Sequence, residues 1–287
     1  MANKMYSIYH FFKSLLDKKH FFTQVKKLED FPFKKGLLSC KNVGKFPDMA
    51  IRINKSSDMF TGGELIELKD SGSYTVSSFN STIPTGKKEI SKIITGDNSN
   101  TKLQMEHAGN NIYSLPERDV FYLVRGRKKS RKKKDKIQTK VCLVCGDFFE
   151  TIRVDDLISQ SFSQVLQERL QESNTEISDE LRVMLLSIFS QQENFSKVRT
   201  VDNASVKLRF RIMTEVKAEG NILHSKKYPE IKDNTLNFIL PCHSTNEERG
   251  ILDKAEKVFN KKQMNSLNIF KIKHHFNGYF LVFQADI

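Results

Sequence analysis

The sequence predicts an α/β (α+β) chain: a central mixed sheet flanked by helices, followed by a half that also contains strands. Three observations carry this. Apolar runs of strand length recur at 48–53, 64–69, 119–124, 140–146, 234–240 and 278–283, several bounded by turn residues. Longer stretches at 5–29, 155–195 and 246–260 place apolar residues at helical spacing instead. The runs at 119–124 and 140–146 are apolar on both faces, the pattern of strands interior to a mixed sheet.

In chain order, Tyr6, Tyr9, Phe12, Leu15 and Leu16 give the first stretch a helical face, which Phe21, Phe22, Val25 and Leu28 extend past the basic break Lys18-Lys19-His20. One or two helices are expected there, with Glu29 and Asp30 at the end as exposed charges. Gly62-Gly63 is the turn that leads into the second strand. Residues 71–86 are rich in hydroxyls with an amide at Asn80, which reads equally as a loop or as a source of hydrogen bonds to a ligand. A short helix is expected at 87–95. Within 155–195, Asn174-Thr175 breaks the helix in two. Residues 205–213 form a strand with Lys207, Arg209 and Arg211 on one face. The organisation expected is a half comprising 1–150 and a half comprising 151–287, joined in one compact unit.

Composition narrows the class. The chain has 287 residues, 38% of them hydrophobic, enough for a sizeable core. No apolar stretch approaches the roughly 18 residues of a membrane span, and no signal segment is evident, so a cytoplasmic protein without a membrane partner is expected. Four cysteines, Cys40, Cys142, Cys145 and Cys242, are too few for a disulfide scaffold. Cys142 and Cys145 have metal-knuckle spacing but lie in an apolar strand without a second pair, so they read as small buried hydrophobes. Of the net charge of +13, residues 125–136 carry nine basic and one acidic group, leaving 38 basic and 33 acidic elsewhere. That run, including Arg127, Lys128 and Lys129, reads as a solvated hairpin tip or as a grip on phosphates.

Chemistry concentrates at Pro47-Asp48 and Glu67-Leu68-Lys69. Alternation along a strand projects Glu67 and Lys69 together while Ile66 and Leu68 face the other way. Charges on an otherwise apolar strand are costly to bury unless they bind something. Two carboxylates suit a hard divalent cation such as Mg2+ beside a phosphate ester, with the lysine near an attacking water or developing negative charge.

These residues resemble the signature of the PD-(D/E)xK nuclease superfamily, whose best-populated group is the type II restriction endonucleases. Residues 47–53, Glu67-Leu68-Lys69-Asp70 and Val76-Ser77 look like the catalytic stretch of the MspI-like group, and residues 219–224 like a segment of its DNA-reading half. The middle acidic position is an amide in that group, so Glu67 departs toward the commoner pattern. The resemblance covers two short blocks. It implies a sheet of that superfamily's kind, with a catalytic first half and a DNA-recognition second half. It also implies Mg2+-dependent hydrolysis of double-stranded DNA at a short specific sequence, by a monomer or homodimer with a companion DNA methyltransferase. Asp48 and Glu67 would hold the metal, and Lys69 would act beside them. DNA contacts would come from Ser77, Ser78, Asn80, Lys207, Arg209, Arg211, Asn221 and His224, with Arg127, Lys128 and Lys129 of the basic run.

Competing constellations are weaker. Glu215-Val216-Lys217 repeats the Glu-x-Lys spacing but follows an Arg-rich strand, with Asp202 the upstream aspartate. His274 and His275 superficially suggest a ββα-metal nuclease, yet too few residues follow to complete one, and two surface histidines at a strand turn are expected. No phosphate-binding glycine loop or nucleophile elbow is present. Two other functions stay open: a noncatalytic basic nucleic-acid-binding protein, and a structure-specific repair nuclease on the same fold.

Overall fold

A computed structural model describes residues 5–32, 36–41, 46–54, 59–76, 78–80, 84–94, 100–108, 111–129, 137–150, 154–190, 196–201, 204–208, 213–215 and 218–287. They form helices α1 (Ile8–Leu16), α2 (Asn100–His107), α3 (Val154–Glu172), α4 (Asp179–Ser190), α5 (Thr245–Val258) and α6 (Lys261–Asn265). The strands are β1 (Leu38–Lys41), β2 (Met49–Ile51), β3 (Leu65–Ser71), β4 (Ser78–Asn80), β5 (Lys87–Glu89), β6 (Glu117–Lys129), β7 (Ile137–Cys145), β8 (Ser196–Val201), β9 (Ala204–Leu208), β10 (Met213–Glu215), β11 (Thr235–Pro241), β12 (Asn268–His274) and β13 (Gly278–Asp286).

A large mixed sheet runs in the order β1-β2-β3-β6-β7-β11-β13-β12, with β5 paired to the start of β6. β3 lies parallel to β6 and β7 parallel to β11, and the other neighbours are antiparallel. β6 and β7 are buried on both faces through Val120–Val124 and Val141–Cys145, as their unbroken apolar runs require. Each fully buried Leu or Val there contributes about 1.5–3 kcal/mol by leaving water.

α1 covers one face. Ser7 caps it by accepting from His10 N, and Ile8, Phe11, Phe12 and Leu15 recur every three to four residues and are buried. Phe12 stacks on Phe238 of β11 at 4.9 Å between ring centres. Lys13 Nζ donates to Val258 O at the end of α5, 2.8 Å away. The chain then continues in 3-10 turns at Lys19–Thr23 and Leu28–Asp30 rather than as a second α-helix. Arg125 explains the departure. Its side chain has no exposed surface, and it donates to the carbonyls of Phe22, Val25 and Lys26 and, twice, to the Asp70 carboxylate. An unwound segment offers carbonyls sideways, which a continuous α-helix would keep for itself. Arg125 therefore belongs to the core and not to the basic tip.

Other elements differ from expectation for physical reasons, whereas the expected Gly62-Gly63 turn is present. Residues 87–89 are strand, because they pair with Glu117–Asp119, and only a 3-10 turn follows. β1 and β12 are edge strands with weak apolar alternation, and α2 has no apolar stripe to announce it. His274 is buried at 3% exposure against Phe148, Phe280 and Tyr228 rather than on the surface. The Gly62-Gly63 turn adopts φ of +73° and +84°, a conformation costly for other residues.

The chain divides into two units. The first comprises Met1–Ser77, Thr85–Phe149 and Val216–Ile287 and holds the sheet; the second comprises Ser78–Pro84 and Glu150–Glu215. Residues 216–287 belong to the first unit because β11, β13 and β12 complete its sheet. Within the second unit α3 and α4 are separated at Asn174, whose φ is +48°, β8 pairs with β9, and β10 with β4. Among the described residues no helix is long and apolar enough to cross a membrane.

Candidate active site

β2 and β3 pair antiparallel with Met49 opposite Ile66 and Ala50 opposite Leu65, so the next step along the register sets Asp48 beside Glu67. Asp48 Oδ2 accepts from the backbone N–H of Leu68 at 2.8 Å, which fixes its carboxylate against β3. Lys69, two residues beyond Glu67 and on the same face, donates to Glu67 Oε1 at 3.1 Å. The three sequence-predicted residues are thus brought together. Asp70 points to the opposite face, where Arg125 holds it and Leu28 N donates to it. Its resemblance block therefore divides between the two faces of β3.

Glu67 is 8% exposed, and its Oε2 is buried without a hydrogen-bond donor. Burial pushes its carboxyl up to about 7, the Lys69 ammonium opposes this, and the Asp48 carboxylate adds to it. A buried carboxylate oxygen lacking a donor costs about 1–3 kcal/mol, a debt that a cation would remove. Carboxylate oxygens are the donors that Mg2+ prefers. Among the described residues no group of three or more His, Cys, Asp or Glu side chains stands together. An ion here would take two protein carboxylates and complete its shell with water or phosphate oxygens, a common arrangement for Mg2+. The donor set fits.

Beyond Lys69 the same face carries the expected Lys128 together with Tyr74 and Lys140, which the sequence did not single out. Val124 lies opposite Lys69 in β6, and alternation puts Gly126 and Lys128 on that side too. A Cβ on Gly126 would come within 2.6 Å of Leu223 Cδ1 and 2.9 Å of Ser73 O, so only glycine lets these loops close over the sheet. Tyr74 lies over the same spot, with Lys140 Nζ 5.0 Å and Lys128 Nζ 5.6 Å from its ring centre. Burial lowers the Lys140 pKa, and its Nζ donates to Ser225 Oγ at 3.0 Å. A lysine in an apolar run, Lys140 before Val141-Cys142-Leu143, was the available signal.

The other expected contacts are distributed unevenly. Arg127 faces away from Lys69 and lies 3.8 Å from Asp70, whereas Lys129 is exposed at the end of β6. Asn221 is 5% exposed, its Oδ1 accepts from Val76 N and Leu223 N, and its Nδ2 donates to Tyr74 O. This amide clamps the 218–224 turn to the segment that follows β3. His224 is half-buried and its Nδ1 accepts from Lys227 N at 3.3 Å. Ser78 and Asn80 lie in β4 and Lys207 in β9, all in the second unit. Ser77, Arg209, Arg211, Lys217 and 130–136 fall outside the described residues. The cysteines are free and buried. Comparison of the chain with protein-family profiles, with curated proteins and with solved structures finds no match.

Proposed function

We propose that this chain is a Mg2+-dependent endonuclease of type II restriction character, hydrolysing phosphodiester bonds in double-stranded DNA on a PD-(D/E)xK nuclease-like fold. One observation carries the reading: two carboxylates and an ammonium converge on one sheet face, with a buried Glu67 oxygen that lacks a donor. Asp48 and Glu67 would hold the metal. When bound, Mg2+ lowers the pKa of a water and offsets charge on the scissile phosphate. Lys69, kept beside Glu67 by its hydrogen bond, orients that water or stabilises the negative charge of the transition state. Lys128 supplies positive charge on the same face, and Lys207, Arg209 and Arg211 supply contacts to phosphates and guanine edges. A companion DNA methyltransferase would protect the host sequence.

The test is digestion of phage DNA with and without Mg2+. Discrete fragments are the expected result; a smear indicates cutting by structure instead of sequence, and no cutting in any divalent ion leaves a nucleic-acid-binding protein. Asp48→Ala, Glu67→Ala and Lys69→Ala should each lower the rate by about a hundredfold or more. Glu215→Ala should retain more activity than any of them. The assignment fails if Glu215→Ala is dead while Glu67→Ala cuts normally.

A further inference from the structure

At the edge of the sheet opposite to β1, the hairpin β12–β13 closes through the turn His275-Phe276-Asn277. Phe276 is 69% exposed and Tyr279, just beyond the turn, 46%. Single exposed rings are ordinary on a protein surface, but here the backbone beneath them is fixed from inside. His274, itself buried, accepts at Nδ1 from the N–H of Phe276 at 3.2 Å and of Asn277 at 3.0 Å. Asn277 Nδ2 donates to the carbonyls of Asp147 and Phe148 at 2.8 and 3.2 Å. The turn is thus tied to the body of the first unit and holds Phe276 outward. Each ring also has a basic neighbour. His275 meets Phe276 edge to face with ring centres 4.5 Å apart, and Lys273 Nζ lies 5.7 Å from the Tyr279 ring centre. Lys273 is exposed and has no ion pair among the described residues, whereas Lys271 is paired with Glu248.

We propose that this end of the hairpin is a stacking site for the bases of single-stranded nucleic acid. Exposed rings accompanied by cations offer a base face and a phosphate their partners together. The polar neighbours His275 and Asn277 leave Phe276 without a contiguous apolar patch, which is what a bilayer or the core of a protein interface needs. Addition of a further strand to β12 is opposed by the exposed Lys271 and Lys273 along its outer edge. In a duplex the base faces are already stacked on one another, so the rings select unpaired bases, whose faces are open. Lys273 supplies the phosphate contact. The inference requires the chain to hold a strand and not to cut one, so it stands apart from the carboxylate pair.

The experiment is fluorescence anisotropy of the full chain in EDTA, with a labelled oligothymidylate of about 20 nucleotides, longer than one such site covers. A duplex of the same length and vesicles of anionic phospholipid are the comparison probes. Phe276→Ala and Tyr279→Ala should each weaken oligothymidylate binding about tenfold, and Phe276→Trp should restore it. Duplex binding should be unchanged by all three. Lys273→Gln should weaken the single strand and flatten its slope of log K against log salt by about 0.7, one phosphate contact. These positions are exposed, so the fold is not at stake. The proposal is overturned if wild type does not bind oligothymidylate, if Phe276→Ala binds it as wild type does, or if that variant loses duplex equally. Vesicle binding lost in Phe276→Ala would overturn it by assigning the rings to lipid. A wild-type dimer that this variant dissociates in sedimentation would overturn it by assigning them to a second copy.

Discussion

Replacing Glu67 with glutamine removes one titrating oxygen while keeping the shape of the side chain, and its effect on stability can be worked out. The carboxyl is pushed from 4.5 to about 7, chiefly by burial. The folded chain therefore keeps a proton between these pH values that the unfolded chain has released. Stability contributed by this group is complete below 4.5 and is lost as pH rises through 7. Two and a half pH units at 1.36 kcal/mol each set the loss at about 3 kcal/mol by pH 8. In a chelator, Glu67→Gln should equal wild type near pH 4 and exceed it by roughly that amount at pH 8. Urea denaturation of both proteins from pH 4.5 to 8 reads the difference directly. Glu64, also buried and raised to about 7, is present in both, so subtracting the curves isolates Glu67. Adding Mg2+ at pH 8 should stabilise wild type and leave Glu67→Gln unmoved. Curves that stay parallel across the range would refute the buried, unsatisfied carboxylate. Equal stabilisation of both by Mg2+ would place the ion elsewhere.

Arg125→Leu should cost about 3–5 kcal/mol in urea denaturation, since Asp70 loses its cation and three carbonyls lose their donor. A loss under 1 kcal/mol would show that the 3-10 segment is held by packing alone. Asn221→Ala should lower stability by about 1–3 kcal/mol by stranding the Val76 and Leu223 N–H groups, and an unchanged unfolding midpoint would refute the clamp. Exchanging 128–134 for a Gly/Ser turn should flatten the slope of log K for DNA against log salt by about two to four, at roughly 0.9 per lost phosphate contact. Superimposable slopes would make the hairpin tip a bystander.

The strands that build the site were legible because burial on both faces, or a charge breaking an apolar run, leaves a mark in the sequence. Asp48, Glu67 and Lys69 could be grouped from period-two alternation and one turn. Arg125 could not: the eight other cations of 125–136 hide the one that turns inward, and its partner Asp70 is 55 residues away. The clamp made by Asn221 was hidden for a related reason, since an amide in a polar turn looks the same whether it holds backbone or faces solvent. The 87–89 strand was decided by its partner at 117–119, and a local pattern cannot see a partner.

The parallel pairing of β7 with β11 has a consequence for synthesis. Cys145 ends β7 and Thr235 begins β11, so 89 residues, the larger part of the second unit among them, emerge between the two strands. At about 5–20 residues per second, a ribosome leaves the β7 margin unpartnered for roughly 5–20 s. During that interval Val141, Leu143 and Val144 lie on an open strand margin of the type that recruits other chains. The nascent protein thus has a window of chaperone dependence set by its topology, and slowing translation across 146–234 should lengthen it and lower the soluble yield.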